Sequence, residues 1–156
     1  MRFAYADPPY PGQAHRYTEK REVDHAALVE QLVAEFPDGW ALSTSSPALR
    51  DVILLCPTDC RIAAWVKPFA VFKPNVNPAY AWEPVIFRGG RRGDHTRATV
   101  RDFHSENITL KKGLVGAKPP GFNRWILGLL GYVKGDEMVD LFPGTQGLAA
   151  ALAAAP

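Results

Sequence analysis

Short apolar runs and longer stretches of helical periodicity alternate along the first half of the chain. Apolar residues recur at helical spacing from 27 to 36, behind Asp24 as the predicted N-cap and before a Pro-Asp-Gly stop. A second helix is predicted after Pro47, because proline is favoured in the first turn of a helix. Buried strands are predicted where short apolar runs end at turn residues, at 2–6, 40–44, 61–66 and 84–87.

The second half begins with a different pattern. Segment 89–116 is long, polar and rich in Arg and Lys, which predicts a long loop of functional or disordered character. An apolar helix at 123–130, a strand at 138–142 and an Ala-rich helix at 148–155 complete the chain. The alternation of strands and helices predicts one α/β domain over 1–156, a mostly parallel sheet with helices on both faces.

Composition narrows the class of protein without defining its function. The 156 residues are 47% hydrophobic and 22% charged, as expected for one globular domain with an ordinary core. The net charge of +2 permits a polyanionic partner but does not require one. Cys56 and Cys60 are the only cysteines and the four histidines are distant in sequence, so we expect free thiols and no metal site. We expect a cytoplasmic protein, because no signal peptide or membrane-spanning run is evident.

The segment Asp7-Pro8-Pro9-Tyr10 follows the first predicted strand and suggests a specific chemistry. An exocyclic amino nitrogen on a nucleobase is a poor nucleophile, because its lone pair is delocalised into the ring. Two acceptors on its hydrogens, the Asp7 carboxylate and the Pro8 carbonyl, would draw it toward a tetrahedral, nucleophilic geometry. Tyr10 offers an aromatic face on which a flipped base can stack. The alternative is a turn that ends the strand, for which Asp-Pro-Pro is suitable material.

A second motif lies between the last predicted strand and the last helix. Gly144 and Gly147 would let the backbone approach a ligand closely, and the following helix would present free N–H groups. An ordinary glycine-containing turn between a strand and a helix is the alternative interpretation.

Together the two motifs resemble the amino-methyltransferases of the DNA adenine and cytosine type. The first matches the catalytic DPPY motif of that family, and 140–147 matches its cofactor loop, usually Phe-x-Gly-x-Gly. Here Thr145 and Gln146 separate the two glycines, a small departure. Lys118-Pro119, with Phe122 beyond, matches the Lys-Pro stretch that precedes the loop in circularly permuted members. The resemblance spans nearly the whole chain and implies a Rossmann-like fold of permuted order, in which the first and last strands pair.

The resemblance also implies the activity: transfer of a methyl group from S-adenosylmethionine to the 6-amino group of adenine in DNA. Methylation of the 4-amino group of cytosine or of an RNA adenine is one alternative, and a non-catalytic or partner-dependent nucleic-acid-binding relative is another. The implied catalytic residues are Asp7, Pro8, Pro9 and Tyr10. The implied cofactor-binding residues are Asp7, Lys118, Phe122, Asp140, Phe142, Pro143, Gly144, Thr145, Gln146 and Gly147.

The chain departs from the family after the cofactor loop, where two further strands are usual. With little chain after Gly147, the sheet is expected to be truncated, and 138–142 would form an open edge that invites pairing with a second copy. We therefore expect a homodimer. Candidate nucleic-acid contacts come from the loop after the catalytic motif and from the basic segment, whose alternative is a solvated loop. They are His15, Arg16, Tyr17, Arg88, Arg91, Arg92, Arg97, Lys111 and Lys112.

Overall fold

A six-stranded sheet forms the centre of the molecule in the computed structural model, which describes residues 1–16, 21–69, 74–93, 96, 98–109 and 117–155. The strand order across the sheet is β5-β3-β4-β2-β1-β6. The strands are β1 (Arg2–Ala6), β2 (Gly39–Ser43), β3 (Arg61–Val66), β4 (Trp82–Gly89), β5 (Phe103–Ser105) and β6 (Glu137–Asp140).

Helices cover both faces of this sheet, as the sequence predicts. Helices α1 (His25–Glu35) and α2 (Leu49–Ile53) pack on one face, and α3 (Pro120–Leu130) and α4 (Gly147–Ala153) pack on the other. The carboxylate of Asp24 accepts hydrogen bonds from the first backbone amides of α1, which confirms the predicted cap. Within the described residues, no helix is both long and apolar enough to cross a membrane.

Five of the six strands run in the same direction. Strand β4 is antiparallel to both of its neighbours, β2 and β3, whereas the pairs β1–β2, β1–β6 and β3–β5 are parallel. The prediction of a mostly parallel sheet is therefore confirmed. Strand β5 is a correction, because it lies within the segment predicted as one long loop. Three residues are too few for a recognisable alternation of apolar and polar positions.

The first and last strands of the chain lie side by side. Phe3 pairs with Met138 and Tyr5 with Asp140 in the parallel register of β1 and β6, as expected from the resemblance. Strand β1 lies between β2 and β6, and β6 forms one edge of the described sheet. The homodimer expected from this open edge stays a prediction.

Candidate functional site

The carboxyl edge of the sheet collects the residues that the sequence analysis singled out. Asp7 follows β1 directly and Asp140 ends β6, and the strand register brings these two positions together. Because β4 runs in the opposite direction, it begins at this same edge, and Glu83 lies near its start. Ligands of open α/β sheets bind outside the carboxyl ends of the strands, so this edge is the candidate site.

Four side chains form a cluster around the carboxylate of Asp7. The ammonium of Lys118 donates to Asp7 Oδ1 at 2.9 Å and to the hydroxyl oxygen of Tyr10 at 3.1 Å. The Tyr10 hydroxyl donates to Glu83 Oε2 at 2.8 Å, and Lys67 donates to Glu83 Oε1 at 2.9 Å. Two carboxylates and two ammonium groups thus balance one another, as is required when charges leave water.

Burial and charge act on these groups in opposite directions. Burial raises the pKa of Asp7 above its usual value, and Lys118 offsets only part of the rise. Burial would also raise the pKa of Glu83, but the ammonium groups of Lys118 and Lys67 outweigh it and lower the pKa to about 2. Burial together with the two carboxylates raises the pKa of Tyr10 well above its ordinary value. Glu83 is thus the more firmly ionised of the two carboxylates.

Aromatic rings and the start of α3 hold Lys118 in place. Its ammonium lies 5.5 Å from the ring centre of Tyr10, 5.6 Å from that of Trp65 and 5.8 Å from that of Phe122, within the range of cation–π attraction. The carboxylate of Glu106 accepts a hydrogen bond from the Phe122 amide at 3.0 Å and so anchors the first turn of α3. The rings therefore surround the Lys118 ammonium, and the anchored first turn of α3 holds the backbone that follows Lys118.

A pocket opens between this cluster and the loop that follows β6. Most of the predicted cofactor-binding residues line it, but Gln146 does not. Three residues that were not predicted line it as well: Tyr5, Asn123 and Leu148. Phe122 does not, because it is fully buried in the core between Tyr5, Trp65 and Trp125. The predicted residues on the pocket wall are Asp7, Lys118, Asp140, Phe142, Pro143, Gly144, Thr145 and Gly147.

The loop from Asp140 to Gly147 has a different construction from the one expected. Gln146 has a φ of 56° and Gly144 a φ of 38°, so the backbone enters the left-handed region at both positions. A non-glycine residue is unfavourable in this conformation. Counted from Phe142, Gln146 stands where the Phe-x-Gly-x-Gly pattern has its second glycine, and its φ is one that glycine adopts readily. Asp140 closes the start of the loop by accepting a hydrogen bond from the Phe142 amide at 3.2 Å.

Gly147 has a packing role between α3 and α4. It is the first residue of α4, and a Cβ atom built on it would lie 2.6 Å from Nδ2 of Asn123. Asn123 is buried in α3, and its amide group lies 3.4 Å from the Pro119 carbonyl, so it has little room to move. Its missing side chain lets α3 and α4 touch. Gly147 also lines the pocket, so its predicted role in close approach to a ligand stays a prediction.

The predicted arginine contacts lie away from this site. Arg88 stands opposite Trp40 at the start of β2 and is paired with Asp59, about 17 Å along β4 from Glu83. Arg91 donates to Asp136 and to the Gly131 carbonyl near the start of β6, and the exposed Arg92 follows it. These three residues do not share an edge with Asp7, so the structure does not join them to the site. Their predicted role in nucleic-acid binding stays a prediction.

The remaining predicted contacts lie near the catalytic motif or outside the described residues. His15 is exposed in a short 3-10 turn, Ala14–Arg16, that follows Tyr10. Pro8 is buried and Pro9 is half-buried. The predicted contacts Tyr17, Arg97, Lys111 and Lys112 lie outside the described residues.

Sequence reasoning missed Glu83 and Lys67 as members of the site. A charged residue at the start of an apolar strand, directly followed by proline, was the available signal for Glu83. From the sequence alone, Trp65, Trp82 and Trp125 are all expected in the core, because tryptophan is highly buried on average. Trp65 and Trp125 are buried, but the expectation is wrong for Trp82, which is 38% exposed.

Comparison with known proteins identifies the fold. No protein-family model matches the chain, and no curated protein matches its sequence significantly. Among solved structures, the crystal structure of the M1.HpyAVI–SAM complex matches with a TM-score of 0.65 over 99% of this chain and 77% of that chain, at 12% sequence identity. The fold is therefore the Rossmann-like fold of methyltransferases, with a sheet of six described strands.

The contact between Gly147 and Asn123 gives a testable prediction for the loop. Gly147→Ala should lower the free energy of unfolding by about 1–3 kcal/mol, the usual cost of overpacking, as measured by urea denaturation. Asn123→Ala in the same chain should recover part of this loss, because it removes the atom that the new methyl group meets. If Gly147→Ala alone were as stable as the parent, the packing role of Gly147 would be wrong.

Proposed function

We propose that the protein is a methyltransferase that transfers a methyl group from S-adenosylmethionine to the exocyclic amino group of a nucleobase, with the 6-amino group of adenine in DNA as the foremost target. The observation that carries the proposal is the position of Asp7. Its carboxylate lies in the wall of a pocket whose other wall is the loop after β6. A hydrogen-bond acceptor for the amine is thus placed beside a candidate cofactor site.

The chemistry of the pocket suits S-adenosylmethionine. The Asp140 carboxylate suits a cationic ligand, whereas that of Asp7 is already paired with Lys118, and Asn123 and Thr145 offer polar atoms for hydroxyl groups. Phe142 supplies apolar surface beside them. The M1.HpyAVI structure, which has the same fold, is a complex with SAM. When bound, the cofactor would supply the electrophilic methyl group, and the remaining work falls to the residues of the chain.

Asp7 and its neighbours would prepare the amine for attack. The Asp7 carboxylate would accept a hydrogen bond from one amino hydrogen, and the Pro8 carbonyl would accept from the other. Tyr10 would support the base from one face. Positioning and electrostatic stabilisation would provide the rate enhancement.

Exposed aromatic side chains favour a nucleic acid as the substrate. Phe69, Tyr80 and Trp82 are 52%, 48% and 38% exposed, and they follow β3 or lie at the start of β4. A backbone hydrogen bond of 2.8 Å from Lys67 to Ala81 holds these two segments together at the edge that contains Asp7. Unpaired bases stack on such rings largely independently of sequence.

Cytosine and RNA are the alternatives within this chemistry. Adenine and cytosine both present an amino group next to an accepting ring nitrogen, so the Asp7 carboxylate suits either base. The resemblance of the first motif to the adenine-specific pattern favours adenine. Incubation with labelled methyl donor and single- and double-stranded DNA and RNA, followed by mass spectrometry of the nucleosides, identifies the product.

Removal of the Asp7 carboxylate tests the catalytic role. Asp7→Ala should lower the methylation rate by at least a hundredfold, since the amine loses its charged acceptor, while S-adenosylmethionine affinity measured by calorimetry stays within a few-fold. Glu30→Ala, which removes an exposed carboxylate from α1, is the control and should retain the parent rate. Undiminished methylation by Asp7→Ala would refute the assignment.

The rate should also depend on pH through Asp7. The ionised carboxylate is the stronger acceptor for the amine, and burial raises the pKa of Asp7, so activity is expected at higher pH and falls as the pH drops through that raised value. A rate profile whose acidic limb lies at or below the pKa of a free aspartic acid would contradict this expectation.

Stacking on Trp82 can be observed directly. Trp82 is exposed while Trp40, Trp65 and Trp125 are buried, so quenching of tryptophan fluorescence by a single-stranded oligonucleotide should come mainly from Trp82. Trp82→Phe should lose most of the quenching, and Trp82→Ala should weaken binding roughly tenfold. Leu54→Ala, which removes another exposed apolar side chain, should change neither. Equal quenching in the parent and in Trp82→Phe would contradict this interface.

A further inference from the structure

The two carboxylate oxygens of Asp7 have different surroundings. Oδ1 accepts the hydrogen bond from Lys118 and lies 3.4 Å from the Tyr10 hydroxyl. No described residue donates a hydrogen bond to Oδ2. A carboxylate oxygen can accept two hydrogen bonds, so Oδ2 has the capacity to receive an amino hydrogen while Oδ1 is held.

Glu83 contacts both of the groups that lie beside Oδ1, Lys118 and Tyr10. Its Oε2 atom accepts the hydrogen bond of the Tyr10 hydroxyl at 2.8 Å and lies 3.4 Å from the Lys118 ammonium. A tyrosine hydroxyl has one hydrogen, and the shorter contact takes it. The Tyr10 oxygen then accepts a hydrogen bond from Lys118 at 3.1 Å. This second acceptor draws the ammonium to one side of the Asp7 carboxylate, so that it does not lie evenly between Oδ1 and Oδ2.

Charge balance explains why this arrangement needs Glu83. Lys118 is shared between Asp7 and Glu83, and Lys67 neutralises the other oxygen of Glu83. Without the charge of Glu83, two ammonium groups would face the single carboxylate of Asp7. Because side chains of Lys118 and Asp7 are only 9% and 20% exposed, water would compensate poorly for that imbalance.

We propose that Glu83 is a positioning residue for the methyl-transfer reaction: it takes the hydrogen bond of Tyr10 and shares Lys118 with Asp7, so that Lys118 stays on one oxygen of Asp7 and the other oxygen is open to the target amine. This inference rests on the proposed function, because it assigns a use to the open oxygen. Glu83 does not itself touch the base. It acts through Lys118 and Tyr10.

The state of Asp7 reports on this arrangement without any substrate. In Glu83→Gln, Lys118 loses its second carboxylate and pairs fully with Asp7, so the pKa of the Asp7 carboxyl should fall by roughly one unit. In Lys118→Met, burial is no longer offset and the same pKa should rise. Carbon-13 NMR of the Asp7 carboxyl group measures both pKa shifts. Tyr5 and Asp140 also interact electrostatically with Asp7, but they are unchanged in every variant and so do not contribute to the differences.

Kinetics complete the test. Glu83→Gln should reduce kcat at least tenfold and leave the affinity for S-adenosylmethionine within twofold, whereas Glu83→Asp, which keeps the charge, should recover part of the rate. Glu137→Gln removes an exposed carboxylate at the start of β6, the end of that strand that lies away from Asp7, and its kcat should match that of the parent. Circular dichroism establishes that each variant is folded, and Glu83→Asp serves as the test variant if Glu83→Gln does not fold.

The outcomes separate the two proposals. If the parent methylates nucleic acid but Glu83→Gln keeps both its rate and the Asp7 pKa, the role of Glu83 is wrong and the proposed function stands. If the parent does not methylate any base, while the pKa shifts have opposite signs as expected, the proposed function is wrong and only the arrangement around Oδ1 is supported. Shifts of equal sign in Glu83→Gln and Lys118→Met would overturn the arrangement itself.

Discussion

The parallel pairing of β1 with β6 is the constraint on which the site depends. These strands come from opposite ends of the chain, and their register sets Tyr5 beside Asp140. The segments that follow them, Asp7-Pro8-Pro9-Tyr10 and the loop from Asp140 to Gly147, therefore emerge side by side at one edge. Without this pairing the Asp7 carboxylate and the loop would not share a pocket, and the proposed amine acceptor would not lie beside the candidate cofactor site.

Most of the sheet could be predicted because its strands have strong local signals. β1 and β3 have the predicted bounds, since each is a short apolar run that ends at turn residues. α1 was predictable from Asp24 and the apolar spacing behind it. β5 was not, because its three residues pair with β3 through a contact distant in sequence. A strand that depends on its partner has little signature of its own.

The site was predictable only in part, for a related reason. Asp7 and the loop belong to motifs that are contiguous in sequence, so their residues could be assigned from the chain alone. Glu83 and Lys67 reach Asp7 across the sheet, and only the antiparallel direction of β4 brings Glu83 to the correct edge. The arginines show the reverse case: they were prominent in the sequence, but the structure does not join them to Asp7, and their role stays a prediction. Their composition suggested a nucleic-acid surface, but Arg88 and Arg91 are engaged by Asp59 and Asp136 elsewhere.

The contact between Gly147 and Asn123 joins the glycine loop to α3, and Lys118 lies just before that helix. The loop, Asn123 and Lys118 all line the pocket, and the Lys118 ammonium lies 2.9 Å from Oδ1 of Asp7. A charged ligand in the pocket would therefore act on the ammonium that partly offsets the raised pKa of Asp7, which would let a filled pocket adjust the acidity of the carboxyl group that awaits the second reactant.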